Sequence, residues 1–221
     1  AIVVMPSNSP RIKQAMVRRY GGEVIHCQPT FESREATATR IIEQTGAVFI
    51  HSFNDLTVMA GQGTTALELL EDVPDLDLVL CPVGGGGHLS GIAVAAKSLK
   101  PDIRIIGVEP EGADDAYRSF RAKHIVRCYD AYSIADGLRA PLGDKAFAEI
   151  RRHVDDIVSV SEKSIVASMK SIWEDLKVVV EPSGAVAYAA VLEQKVSLVG
   201  QRVGLILSGG NVDLDVLPWQ E

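Results

Sequence analysis

The sequence predicts an α/β fold, an open parallel sheet flanked by helices. Two observations predict it. Short apolar runs recur at residues 2–4, 23–27, 47–50, 76–83, 103–109, 157–160 and 203–207, and helical patterns fill the intervals between them. The glycine-rich, acidic and hydroxyl-bearing segments fall just after these runs, at the strand carboxyl ends where open α/β sheets bind ligands.

In chain order, the predicted helices cover residues 10–20, 32–44, 56–71, 89–99, 113–121, 144–154, 162–178 and 183–196. Asp72-Val73-Pro74 stops the third of these, because proline cannot continue a helix. Ser161 is a good N-cap for the helix carrying Ile165, Met169, Ile172, Trp173 and Leu176 at apolar spacing. Pro182 suits a first helical turn. The polar stretch around Phe53 marks a change of lobe, giving residues 1–55 as a small lobe and 56–221 as a large one. The chain opens with Ala1-Ile2-Val3-Val4, inside a core strand, which predicts a fold incomplete at its N-terminus.

The 221 residues are 47% apolar and carry a net charge of −7, with no basic block. Nucleic acid and anionic membranes are therefore not expected partners. No apolar run is long enough to span a bilayer, and no signal-peptide pattern is present, so a cytoplasmic protein is expected. Cys27, Cys81 and Cys128 lack metal-ligand spacing and read as free thiols. The five histidines form no ligand pattern, and there is no G-x-S-x-G elbow, so zinc and hydrolase chemistry have no motif support.

An apolar strand runs into Gly84, Gly85, Gly86 and Gly87, and a small-residue helix follows at once. Side-chain-free backbone lets several N–H groups converge on an anion, and the helix N-terminus adds its dipole. No G-x-G-x-x-G frame fits, and no lysine lies in the loop as a P-loop requires, so a small phosphate monoester suits it better than a pyrophosphate.

Ser208-Gly209-Gly210-Asn211 ends the last strand. Its hydroxyl suits the ring nitrogen of a flat ligand, without protonating that nitrogen as an aspartate would; a plain turn also fits. The acidic turn from Glu109 to Asp115 reads either as oxygen ligands for a hard divalent cation or as a helix start dressed with acids. Glu181 reads as a partly buried carboxylate ahead of a helix. Gly61 and Gly63 read as packing glycines rather than ligand contacts.

Taken together, Gly84 to Gly87, Val108-Glu109-Pro110, Ala135-Asp136-Gly137, Glu181-Pro182-Ser183-Gly184 and Ser208-Gly209-Gly210-Asn211-Val212 resemble the fold type II pyridoxal-phosphate enzymes, on the branch of serine racemase and the serine/threonine dehydratases. The resemblance implies a tryptophan synthase β-like fold, residues 1–55 being a remnant of the small mobile domain. It implies pyridoxal 5'-phosphate as cofactor, its phosphate on Gly84, Gly85, Gly86 and Gly87, its ring nitrogen on Ser208, and Gly137, Glu181 and Phe53 lining the site. Glu109, the carbonyl of Ala113 and Asp115 would hold a divalent cation such as Mg2+, Mn2+ or Ca2+. A homodimer acting on a small amino acid is implied. Phe53 stands where dehydratase members carry Phe in a Pro-Phe-Asp-like turn, which favours a dehydratase over a vertebrate-type racemase.

The sequence departs from the family in two ways. The Ser-Phe-Lys segment, whose lysine anchors the cofactor covalently, and the Ser-Ser-Gly-Asn-His segment that grips the substrate do not occur. The expected function is thus that of a serine/threonine dehydratase or serine racemase, inactive as this chain alone. A non-catalytic protein that binds a phosphate ligand or a partner is the alternative. His88 also stands where the family carries an apolar residue.

Overall fold

A computed structural model describes residues 1–128 and 130–220. The chain divides into two compact units, Ala1–Ile50 with Asn211–Glu221, and His51–Gly210. The boundary expected at residue 55 thus lies at residue 50, because residues 51–55 pack with the second unit. The C-terminal residues join the first unit for a specific reason. Helix α1 (Arg11–Arg19) starts behind Pro10, which has no capping side chain. Asp213 supplies one, its carboxylate accepting the N–H groups of Arg11 and Ile12 at 2.9 and 2.8 Å.

In the first unit, β1 (Ile2–Pro6) pairs in parallel with β2 (Glu23–Cys27), and α2 (Phe31–Thr45) follows with Thr30 as its N-cap. The apolar run at 47–50 is not a strand. No described strand pairs with it, and Val48 is 87% exposed. An apolar run without a ladder partner has nothing to hold it extended.

The second unit begins with α3 (Leu56–Asp72), capped by Asp55, whose carboxylate accepts from Thr57 and Val58. Then follow β3 (Leu78–Pro82), α4 (Gly87–Leu99), β4 (Arg104–Pro110), α5 (Asp115–Ala122), α6 (Asp144–His153), β5 (Asp156–Val160), α7 (Glu162–Ser171), α8 (Pro182–Leu192) and β6 (Val203–Leu205). The four strands are parallel in the order β5-β4-β3-β6. Both faces are buried. Leu78, Leu80, Ile106 and Val108 pack with Ile165 and Val186 on one side, and Val79, Cys81, Ile105 and Ile157 with Leu89, Ile92 and Ile150 on the other. This is why strand β3 reads as a continuous apolar run rather than an alternation.

Three helices differ from expectation. The pattern expected to run from 162 to 178 is α-helical only to Ser171, widens into one π turn over Ile172–Leu176, and stops at Lys177, which has φ +58°. The helix expected to reach 196 stops at Leu192, and Gln194 turns the chain at φ +54°. The helix expected over 113–121 starts at Asp115, after a 3-10 turn over Glu111–Ala113. Among the described residues, no helix is long and apolar enough to cross a membrane.

Candidate cofactor site

The strand order places the site. From β3 the chain steps outward through β4 to β5, then returns to the other side of β3 as β6. The switch between β3 and β6 opens a crevice at the strand carboxyl ends. The glycine loop follows β3 and Ser208 follows β6, so these two predicted groups flank that switch.

Each loop glycine meets close neighbours. A Cβ on Gly84 would stand 2.8 Å from Leu138 Cα. One on Gly85 would overlap the Phe53 ring, and one on Gly87 the Phe53 carbonyl. Gly86 has φ +88°, and its Cβ would meet Leu142 and Ile150 at 2.8 and 3.0 Å. The carbonyls of Gly85, Gly86 and Gly87 all have donors. Gly85 O accepts from Gly143 N–H at 3.1 Å, Gly86 O from Ser90 N–H at 2.9 Å, and Gly87 O from the Ser90 hydroxyl at 3.1 Å. A peptide is a rigid plane with N–H and C=O on opposite sides, so anchoring these carbonyls aims the next N–H groups the other way.

Among the described residues, none of Gly84, Gly85, Gly86 or Gly87 donates its own N–H to an acceptor, although all four residues are buried. Buried backbone donors are nearly always satisfied. Four unmet donors at the N-terminus of a thirteen-residue helix are an arrangement with which backbone can hold an anion.

The other predicted cofactor residues join this loop through short contacts. Leu138, which covers Gly84, belongs to the 3-10 turn Asp136–Leu138 that carries the exposed Gly137. Gly137 donates its N–H to Ser183 Oγ at 3.0 Å. Ser183 lies in the first turn of α8, behind Glu181. Glu181 donates its backbone N–H to Gly209 O at 2.9 Å, and a Cβ on Gly209 would stand 2.5 Å from Glu181 Oε1. The structure thus links Gly84, Gly137, Glu181 and the Ser208–Gly209 turn in one continuous set of contacts, with Ser208 exposed. The set brings together backbone amides without acceptors and an exposed hydroxyl at neighbouring strand ends.

The acidic segment divides. Glu111 and Asp114 face outward and pair with Lys195 and Arg118. Glu109 and Asp115 face inward, 0% and 1% exposed. Glu109 accepts N–H groups from Ala116 and Tyr117 at 3.1 and 2.8 Å, and Asp115 accepts Leu142 N–H at 2.8 Å. Burial pushes the Glu109 carboxyl well above its ordinary range, and the charge of Asp115 pushes it further. Burial raises Asp115 to about 6. Neither forms an ion pair with a cationic side chain among the described residues. Glu109 and Asp115 are the two expected acidic ligands of a cation, and among the described residues no group of three or more His, Cys, Asp or Glu side chains is placed to hold a metal ion.

The remaining glycines of α3 divide as well: a Cβ on Gly63 would stand 2.9 Å from Gly91 O, whereas Gly61 has open space. His88 bridges the same two helices, its Nδ1 lying 2.7 Å from Gln62 Oε1. Burial pushes its pKa down, and Nε2 is buried without a partner. Sequence reading assigned no role to Ser183 or to Asn54, whose partners lie 46 and 90 residues away.

Residues 1–209 match the family described as "Pyridoxal-phosphate dependent enzyme". The chain is 48% identical to a β-hydroxyaspartate dehydratase of Paracoccus denitrificans, over 98% of this chain and 69% of that protein. The solved structure of maize serine racemase superposes with a TM-score of 0.93 at 47% identity, covering 97% of this chain and 67% of that one. The solved serine racemase of Dictyostelium discoideum superposes with a TM-score of 0.87 at 43% identity, covering 96% and 69%. The chain therefore spans about two thirds of the length of these relatives. It belongs to the pyridoxal-phosphate dependent enzyme family, in the fold type II branch of serine racemase and the serine/threonine dehydratases.

Proposed function

We propose that this chain binds pyridoxal 5'-phosphate and serves the dehydration of a small β-hydroxy amino acid, L-serine or L-threonine, to a 2-oxo acid and ammonia. The observation that supports this most is the unmet N–H array of Gly84, Gly85, Gly86 and Gly87 at the carboxyl end of β3, the strand beside the switch to β6. These amides would hold the phosphate. Ser208 would bond the ring nitrogen, while Gly137 and Glu181 would line the ring. Bound pyridoxal phosphate supplies an electron sink for the bond broken at the substrate α-carbon. A neutral hydroxyl at the ring nitrogen moderates that sink. A cation between Glu109, Ala113 and Asp115 would favour the ionised form of two carboxyls that burial otherwise pushes toward protonation.

Racemisation of serine is the second reading, favoured by the likeness to maize serine racemase. In either reading the lysine-bearing Ser-Phe-Lys segment is not among residues 1–221, and the expectation for the purified chain is cofactor binding without turnover. Several lysines are engaged at the surface: Lys97 with Asp155, Lys100 with the Pro74 carbonyl, Lys170 with Glu174, and Lys195 with Glu193.

The test is a visible absorbance titration of the purified chain with pyridoxal phosphate, competed by inorganic phosphate, then borohydride reduction and intact mass. Saturable, phosphate-competed binding with no fixed adduct and no 2-oxo acid from L-serine is expected. Absence of binding overturns the cradle; a fixed adduct or 2-oxo acid overturns the inactivity. Co-expression with the lysine-bearing segment of a dehydratase relative separates the two readings. 2-Oxo acid in excess of D-serine supports dehydration, and D-serine without 2-oxo acid supports racemisation.

A further inference from the structure

Helix α6 begins at Asp144 behind Gly143, whose backbone (φ −77°, ψ 147°) is that of an N-cap but which has no side chain to cap with. The cap comes from Asn54. Its Oδ1 accepts the N–H groups of Lys145 and Ala146 at 3.0 and 3.4 Å, and its Nδ2 donates to Asp144 Oδ1 at 2.7 Å. A Cβ on Gly143 would stand 2.5 Å from Asn54 Oδ1, so the glycine is what lets the distant side chain in.

Both sides of the glycine loop meet at this contact. On one side is Phe53, whose ring covers Gly85 and whose backbone covers Gly87. The Phe53–Asn54 turn is shaped by His51, whose Nδ1 accepts the Asn54 N–H at 3.1 Å. On the other side Gly143 N–H holds Gly85 O at 3.1 Å, which fixes the plane of the peptide that carries the Gly86 N–H. Asn54 is bonded to the start of α6 and is the chain neighbour of Phe53, so its side chain ties one side of the loop to the other.

We infer that Asn54 is a positioning residue for the phosphate cradle: it latches the Phe53 turn to the start of α6 and so holds the loop amides in their aim. This rests on the cofactor reading above. The latch carries no charge and touches no ligand. It acts by removing the freedom of the Gly85–Gly86 peptide, which glycine alone would leave large.

Two variants separate positioning from simple helix capping. Asn54→Gly removes both cap and latch. Adding Gly143→Ser gives α6 a cap of its own, in a backbone conformation that suits one, without restoring the tie to the Phe53 turn. Calorimetric titration of each purified chain with pyridoxal phosphate and with inorganic phosphate is read beside its Tm. Asn54→Gly is expected to lower Tm and to weaken both ligands about tenfold, the scale of losing a partner behind a ligand-holding group. The double variant is expected to recover Tm while binding stays weak. Recovery of binding along with Tm, or wild-type binding by Asn54→Gly, overturns the inference and leaves the cofactor reading intact. Absence of binding by the wild-type chain overturns both. If Asn54→Gly does not fold, the double variant against the wild-type chain carries the comparison.

Discussion

Phe53 lies directly on Gly85, its ring occupying the space a Cβ there would need. Close packing therefore requires glycine at this position whatever the loop binds. Gly85→Ala is expected to destabilise the chain by about 1–3 kcal/mol, as overpacking does, and to abolish phosphate binding. Gly61→Ala is the contrast. Its Cβ would meet open space inside α3, so a gain of about 0.5–1 kcal/mol is expected. Chemical denaturation of both variants checks the pair.

Ser183 carries the link between Gly137 and α8. Ser183→Ala removes the acceptor of the exposed Gly137 N–H, an expected loss of about 0.5–1.5 kcal/mol. Weaker binding of pyridoxal phosphate with little change for inorganic phosphate is also expected, following from the proposed place of Gly137 beside the ring. Paired titrations check it.

Glu193 gives a pH dependence of known sign. Partial burial opposes its charge, but hydrogen bonds from Ser161 and Ser164 and the nearby Lys195 outweigh this and hold its pKa at about 2, below an ordinary 4.5. Its Oε1 accepts Ser161 N–H and Oγ at 2.9 and 2.6 Å, joining the start of α7 to the end of α8. A depressed carboxyl pKa adds stability above the unfolded value and loses it as pH falls through the folded one. The stability gap between the wild-type chain and Glu193→Gln is expected to be full above pH 4.5 and to close toward pH 2. Urea melts across that range measure it.

For the buried acids, a divalent cation at a hundred times its Kd is expected to add about 2.7 kcal/mol. That is roughly 5–10 °C in Tm for a chain of this size. Asp115→Asn is expected to abolish the shift. Equal shifts in both proteins would place the cation elsewhere.

Much of this was legible in the sequence for physical reasons. Strands buried on both faces, such as Leu78–Pro82, leave continuous apolar runs. Ligand loops at strand ends need residues that other positions do not, such as Gly86 at its positive φ. What was not legible depends on distant partners. The run at 47–50 has strand composition but no described neighbour to pair with. The helix through Trp173 keeps its apolar spacing past Ser171, yet the backbone turns at Lys177, and the Trp173 indole N–H donates to the Val180 carbonyl at 2.9 Å. The caps supplied by Asp213 and Asn54 lie 202 and 91 residues from the N–H groups they serve, so no local pattern announces them.

The most direct measurement of the central claim is an amide spectrum of the chain labelled with 15N-glycine, titrated with pyridoxal phosphate. Saturable downfield shifts at Gly85, Gly86 and Gly87 are predicted, with Gly21, Gly46 and Gly200, all in open space, unmoved. Loop amides that stay in place at saturating pyridoxal phosphate would contradict the account.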